Sequence, residues 1–286
     1  MICSRVKVSL VTAQRAFRLC AALLGWTNAL GQMSLPQAVP PADSGGVNAE
    51  SQIITKELKS LNDPTVMQRR VWLETQWDEY KGGIHGVEET LGGLWAWRVS
   101  TNVEWGVRLK VPYEWHIAGD APGDSDKQGL GDLKVATGTE FRLSQSWRTA
   151  VGLELRLPTA ADNLGGRDWR LQEFGSVAWD VTRWLTLSPS FEYNQSLAEL
   201  DNGRPQHYLE LFFPATFILP HHWSVTARYE AKADFERDNY LIQSAKVQIA
   251  KQLTDPPLGF AFALKKPFDG GLKEFQVNLI ITYYFR

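Results

Sequence analysis

His221 and His222 are adjacent imidazoles, the residue type most often used to hold a transition metal. They fall in a short connection with no third ligand nearby, so a hydrated turn accounts for them better than a metal site does. Asp120, Asp124 and Asp126 gather three carboxylates in one loop, yet the loop lacks the spacing and the closing Glu of an EF-hand. Gly129 and Gly131 lead into no Gly-x-Gly-x-x-Gly run that opens a helix, which removes a dinucleotide fingerprint. Acyl transfer needs a nucleophile beside a base; Ser196 and His207 offer the types but fall on opposite faces of their strands. No cofactor and no metal is expected. What the chain does carry in quantity is charge at every second position: Glu104, Arg108, Lys110, Glu114, Lys134, Glu140, Arg142, Arg148, Glu154, Arg156, Arg228, Glu230, Lys232 and Lys246.

The positions between those charges explain their spacing. From Thr101 to Trp115 the odd residues are apolar, aromatic or Thr, while the even ones include Glu104, Arg108, Lys110 and Glu114. A period of two over such a stretch is a strand with one wet face and one apolar face, well beyond the usual strand of about 5–6 residues. A transmembrane barrel strand has this form, because lipid meets its outer face and a polar lumen its inner one. The same alternation predicts twelve strands, at 69–80, 88–98, 101–116, 130–143, 147–159, 168–180, 184–197, 207–219, 223–234, 239–251, 258–265 and 274–286. In the sixth, Glu173 shares the parity of Leu171 and Val177, so its faces are less distinct. The expected fold is all-β: an antiparallel up-and-down transmembrane β-barrel of twelve strands.

The links between these strands alternate as well. Short ones fall at 100, 144–146, 181–183 and 220–222, and longer ones at 117–129, 160–167 and 198–206, matching short periplasmic turns and long extracellular loops. Aromatic residues collect at the strand ends. Trp97, Trp147, Trp179, Trp223, Tyr283 and Phe285 fall at the periplasmic side and Trp115 at the other, as candidates for the interfacial girdles. Pro189 and Pro214 lie inside the seventh and eighth strands, where a missing N–H predicts a local break in the wall.

Residues 1–31 read as a secretory signal peptide, with Arg5, Lys7, Arg15 and Arg18 ahead of a short apolar core. Cleavage after Gly31 also removes Cys3 and Cys20, leaving a chain without thiols. The 30 Lys and Arg fall by four to 26, against 32 Asp and Glu, a formal charge of −6 that argues against a nucleic-acid partner. Residues 32–65 are a flexible periplasmic leader carrying one short helix, and 66–286 form the barrel. A content of 44% hydrophobic residues suits a barrel, in which lipid-facing and lumen-facing positions cancel. The expected location is the cell outer membrane.

The last strand, from Phe275 to Phe285 and Arg286, resembles the terminal signal read by the outer-membrane assembly machinery, except that the aromatic residue is penultimate. Gly129-Leu130-Gly131-Asp132-Leu133, followed by Trp147 and the segment Val151-Gly152-Leu153-Glu154-Leu155-Arg156-Leu157-Pro158-Thr159, resembles the outer-membrane transporter family labelled for the meta-pathway of phenol degradation. That resemblance spans most of 88–286 and implies passage of small, often aromatic compounds. Outer-membrane phospholipase A also uses twelve strands, but its His-x-Ser-Asn-Gly motif is absent, so an enzyme is not expected. The partners expected are outer-membrane lipid around the barrel, a small solute within it, and the assembly machinery at the last strand. The inward charges then either line a path for that solute or pair with one another and fill the bore. Their mixed signs argue against a strongly anion- or cation-specific pore.

Overall fold

Residues of period two fold into strands whose partners are set by register, and the register here closes on itself. The computed structural model describes residues 49–61, 63, 65–81, 84–117, 126–160, 164–200, 205–237, 240–268 and 273–286. The expected signal peptide and the Asp120 and Asp124 positions lie outside the described residues. One helix, α1 (Ala49–Ser60), precedes β1 (Arg70–Tyr80), β2 (Ile84–Ser100), β3 (Val103–Ile117), β4 (Lys127–Leu130), β5 (Lys134–Arg142), β6 (Trp147–Arg156) and β7 (Asp168–Thr182). Then follow β8 (Leu185–Leu187), β9 (Ser190–Glu199), β10 (His207–Leu219), β11 (Trp223–Asp234), β12 (Tyr240–Gln252), β13 (Leu258–Pro267) and β14 (Lys273–Tyr284).

These segments make twelve barrel staves, because β4 and β5 both pair with β3, and β8 and β9 both pair with β7 and β10. Every neighbouring pair is antiparallel. β1 pairs with β2 on one side and with β14 on the other, from Arg70 opposite Tyr284 to Tyr80 opposite Lys273, so the sheet has no edge. Closure satisfies the backbone groups that a bilayer core would otherwise leave unpaired. The fold is a closed antiparallel β-barrel of twelve strands.

The prolines behave differently from the sequence expectation. The wall is interrupted beside Pro189, between β8 and β9, but β10 runs through Pro214 without a break. In an antiparallel ladder the N–H and C=O of one residue face the same neighbour. Pro214 accepts from the Ser188 N–H at 3.2 Å, so its missing donor points at the gap in the adjacent stave. Pro112 in β3 repeats the arrangement, accepting from the Gly131 N–H at 2.9 Å where β4 gives way to β5. Each proline therefore costs little, since the partner strand is interrupted where the donor is absent.

Side chains sort by parity. Leu91, Leu109, Leu153, Val247, Phe262 and Leu264 project outward and are exposed, while the buried polar residues Gln248, Asn278 and Thr282 project inward. Glu173 faces outward with Leu171 and Val177. The outer aromatic residues stack in pairs: Trp97 on Trp105 with centroids 5.0 Å apart, Trp147 on Trp179 at 5.4 Å, and Tyr283 edge-on to Phe285 at 5.3 Å. Trp223 lies under the Lys251 ammonium at 5.1 Å, and Trp115 packs on Tyr113 at 4.5 Å towards the opposite rim.

Candidate functional site

The inward faces enclose two connected spaces. A vestibule of 820 Å³ at the end of the long loops is lined by Tyr80, Phe212, Lys232, Tyr240, Lys265 and Lys273 among others. Below it a chamber of 510 Å³ includes Arg108, Lys110, Lys134, Glu154, Arg156, Arg228, Glu230 and Lys246 in its wall. Glu210, Phe212, Glu230 and Lys265 belong to both, so the vestibule leads into the chamber.

Many of these charges are paired. Arg108 donates to Glu154 at 2.6 Å, Arg156 to Asp132 at 3.0 Å, and Lys265 to Glu230 at 2.5 Å, while Arg228 also contacts Glu230. Lys232 stands 3.6 Å from Glu210 in the vestibule. Lys110, Lys134 and Lys246 have no carboxylate within ion-pair distance among the described residues. Glu114 lies against Gly131 in the upper wall, so close that a Cβ on the glycine would meet its carboxylate.

The remaining candidates do different work. Glu104, Glu140 and Arg148 turn inward near the short turns and hold the segment from α1 to Met67. Lys56 reaches Glu104 at 3.3 Å, the Met67 N–H donates to Glu140 at 3.2 Å, and Arg148 bridges Asp63 at 3.0 Å and Asp180 at 2.6 Å. Arg142 is exposed at this rim and lines neither space. The sequence alone left the leader's position open. In the structure Ile54 and Leu58, four apart on one helical stripe, are almost fully buried, a gain of about 1.5–3 kcal/mol each. The carboxylate of Glu57, 0% exposed, takes a two-point contact from Arg286. Lys59 adds a bridge to Asp180 at 2.6 Å.

A set of glycines makes room for this plug. Gly106, Gly138 and Gly152 are register partners on β3, β5 and β6, all turned inward. The Phe174 ring covers Gly138 and Gly152, and Met67 of the plug lies against Gly106 and Gly138. A side chain at Gly152 would come within 2.3 Å of Phe174 and 2.4 Å of the Thr137 carbonyl. Sequence reasoning passed over these glycines, Asp63 and Glu57, and read Arg286 only as a departure from the terminal signal. The three glycines were accessible in principle: glycine at inward parity is a signal of close approach.

The candidates for other chemistries do not assemble. The Ser196 hydroxyl donates to Asp168, while His207 on the outer face meets Tyr193 at 2.7 Å, so no nucleophile reaches its base. His221 and His222 form the tight turn before β11, with φ of 57° and 62°. No cluster of three metal-ligating side chains occurs among the described residues.

No protein-family model matches the chain, and no curated protein matches it. Its fold is similar to that of an outer-membrane channel from Pseudomonas putida F1, with a TM-score of 0.67 and 15% identity over 77% of this chain and 96% of that one. The NanC porin superposes with a TM-score of 0.53 and 11% identity, over 75% of this chain and 100% of its own. The KdgM porin gives 0.50 and 10%, over 76% of this chain and 100% of its own. These likenesses establish the fold. It is a barrel of the outer-membrane type.

Proposed function

We propose that this chain resides in the cell outer membrane as a channel for the passive passage of small solutes. The observation that carries the reading is the continuous space from vestibule to chamber, lined by charged side chains and bounded below by α1. A chamber of this size admits molecules of one or two rings and excludes folded chains. The polar wall supplies the exchangeable contacts that conduction needs, favourable enough for entry and weak enough for release. Aromatic solutes are the favoured cargo, on the sequence resemblance to the meta-pathway transporter family. Arg108, Lys110, Lys134, Glu154, Arg156, Arg228, Glu230 and Lys232 are the lining residues that a solute meets.

The same reading assigns the outer aromatic pairs around Trp97, Trp147, Trp179, Trp223, Tyr283 and Phe285 to one membrane interface and Trp115 to the other. It assigns β14 to recognition by the assembly machinery. The seat of α1 favours one alternative, a barrel kept closed from the periplasmic side. Single-channel recording in planar bilayers, with liposome swelling by neutral aromatics against sugars, separates the two. Discrete conductance and faster aromatic entry are expected, and a barrel with neither is a structural one.

A further inference from the structure

The mixed signs of the bore conceal an order that only register reveals. Lys110 lies opposite Lys134, Lys134 opposite Arg156, and Arg156 opposite Arg170, so four cations form one row across β3, β5, β6 and β7. On the other side of the barrel, Arg228 lies opposite Lys246 and Lys246 opposite Lys265, a second row across β11, β12 and β13. All seven side chains line the same 510 Å³ chamber. With twelve staves, the one carrying Lys134 is six removed from the one carrying Lys246, so the two lysines face each other across the bore.

Like charges directly opposite on neighbouring strands destabilise a sheet unless something offsets them. The arginines are offset within the protein: Arg156 by Asp132, Arg170 by Asp168 at 2.9 Å, and Arg228 by Glu230, which also takes Lys265. Among the described residues Lys110, Lys134 and Lys246 touch no carboxylate, and only longer-range attraction, from Glu154 and Glu74 among others, acts on them. An independent observation points the same way. Three buried donors in the chamber wall, Arg108 Nε, Arg228 Nε and Asn194 Nδ2, have no acceptor, and Asn194 is only 2% exposed. The chamber wall carries nine Lys and Arg side chains against six Asp and Glu, so cations are in excess there. Of the six carboxylates, Asp63 is engaged by Arg148, Glu154 by Arg108 and Glu230 by Arg228 and Lys265, Glu74 accepts from Asn278, and Glu192 and Glu210 are register partners on the stretch of wall between the two rows.

We infer that the chamber is a binding site for small organic anions, in which Lys110 and Lys134 hold a carboxylate of the solute and Lys246 presents a second contact from the opposite wall. This rests on the channel reading and names its substrate class. Neutral and aromatic parts of a solute pass over Phe212 and Tyr240 in the vestibule, while the acidic group decides how long it stays.

The test uses three probes of one shape: isophthalate, its neutral diamide, and the corresponding bis(aminomethyl)benzene dication. The full-length protein in liposomes is expected to admit isophthalate faster than the diamide, and the dication most slowly. The double variant Lys110→Gln/Lys134→Gln breaks no contact ion pair and is expected to reduce isophthalate entry by about tenfold, the scale of a charged hydrogen bond, with diamide entry unchanged. Lys251→Gln removes the same charge from the outer face and is expected to change neither. Equal entry of all three probes, or an equal loss of all three in the double variant, overturns the anion site and leaves the channel reading standing. If no probe enters, the channel reading falls, and calorimetric titration of isophthalate into the folded protein in detergent decides the site by itself. Heat of binding that the double variant abolishes supports the site, and absence of heat overturns it.

Discussion

Arg286 grips both carboxylate oxygens of Glu57, Nε to Oε1 at 2.9 Å and the terminal nitrogen to Oε2 at 3.0 Å, and so ties α1 to the strand that closes the barrel. The pair is asymmetric. Glu57 is fully buried, whereas the Arg286 side chain keeps 29% of its surface exposed and also donates to the Thr254 carbonyl at 2.7 Å. Arg286→Ala strands a buried carboxylate and is expected to loosen α1 by about 3–5 kcal/mol. Glu57→Ala leaves an arginine that water still reaches, so its effect is smaller. Limited proteolysis of 49–66 in the folded barrel measures both, and equal sensitivity of the two variants would refute the asymmetry.

Removing residues 49–66 is expected to raise single-channel conductance while the barrel itself stays folded. The barrel's own ladder is continuous from β1 to β14 without α1, and the segment contributes side-chain contacts to the rim but no strand. Recordings of the intact and shortened chains, with heat-modifiability on gels as the folding control, check this. Unchanged conductance would show that α1 does not obstruct the path.

Gly152→Ala is expected to destabilise the barrel by about 1–3 kcal/mol, the usual cost of forcing extra atoms into a packed site. Part of the clash is with the Phe174 ring and part with the Thr137 carbonyl, at 2.3 and 2.4 Å. Phe174→Ala in the same chain relieves only the first, so rescue is incomplete. The shift in the heat-modification midpoint reads both steps, and full rescue would mean that the backbone contact carries no strain.

Cysteine placed at Glu236, exposed between β11 and β12, is expected to react with an impermeant thiol reagent on intact cells. Cysteine at Gln145, in the turn between β5 and β6, is expected to stay unlabelled until the outer membrane is breached. The reverse pattern would place the long loops in the periplasm.

The sequence by itself determined the staves, their count and their faces. Period two is a local property: whether Lys110 and Leu109 point to opposite sides depends on one strand's pleat and on no other part of the chain. For the same reason β10 was legible from His207 to Leu219 and β11 from Trp223 to Asp234. Pro214 misled because the strand's continuity depends on its neighbour: the missing donor costs little where the adjacent stave is already interrupted at Ser188 and Pro189. Tertiary structure alone decided what stands level with what. Parity says that Lys110, Lys134, Arg156 and Lys246 turn inward, but only inter-strand register makes the first three a row, and only closure sets Lys246 across from them. The seat of α1 belongs to the same class. Ile54 and Leu58 mark a helix with one apolar stripe, yet its partners, Glu104, Asp180, Tyr284 and Arg286, come from strands distant in sequence and meet only where the barrel closes around them.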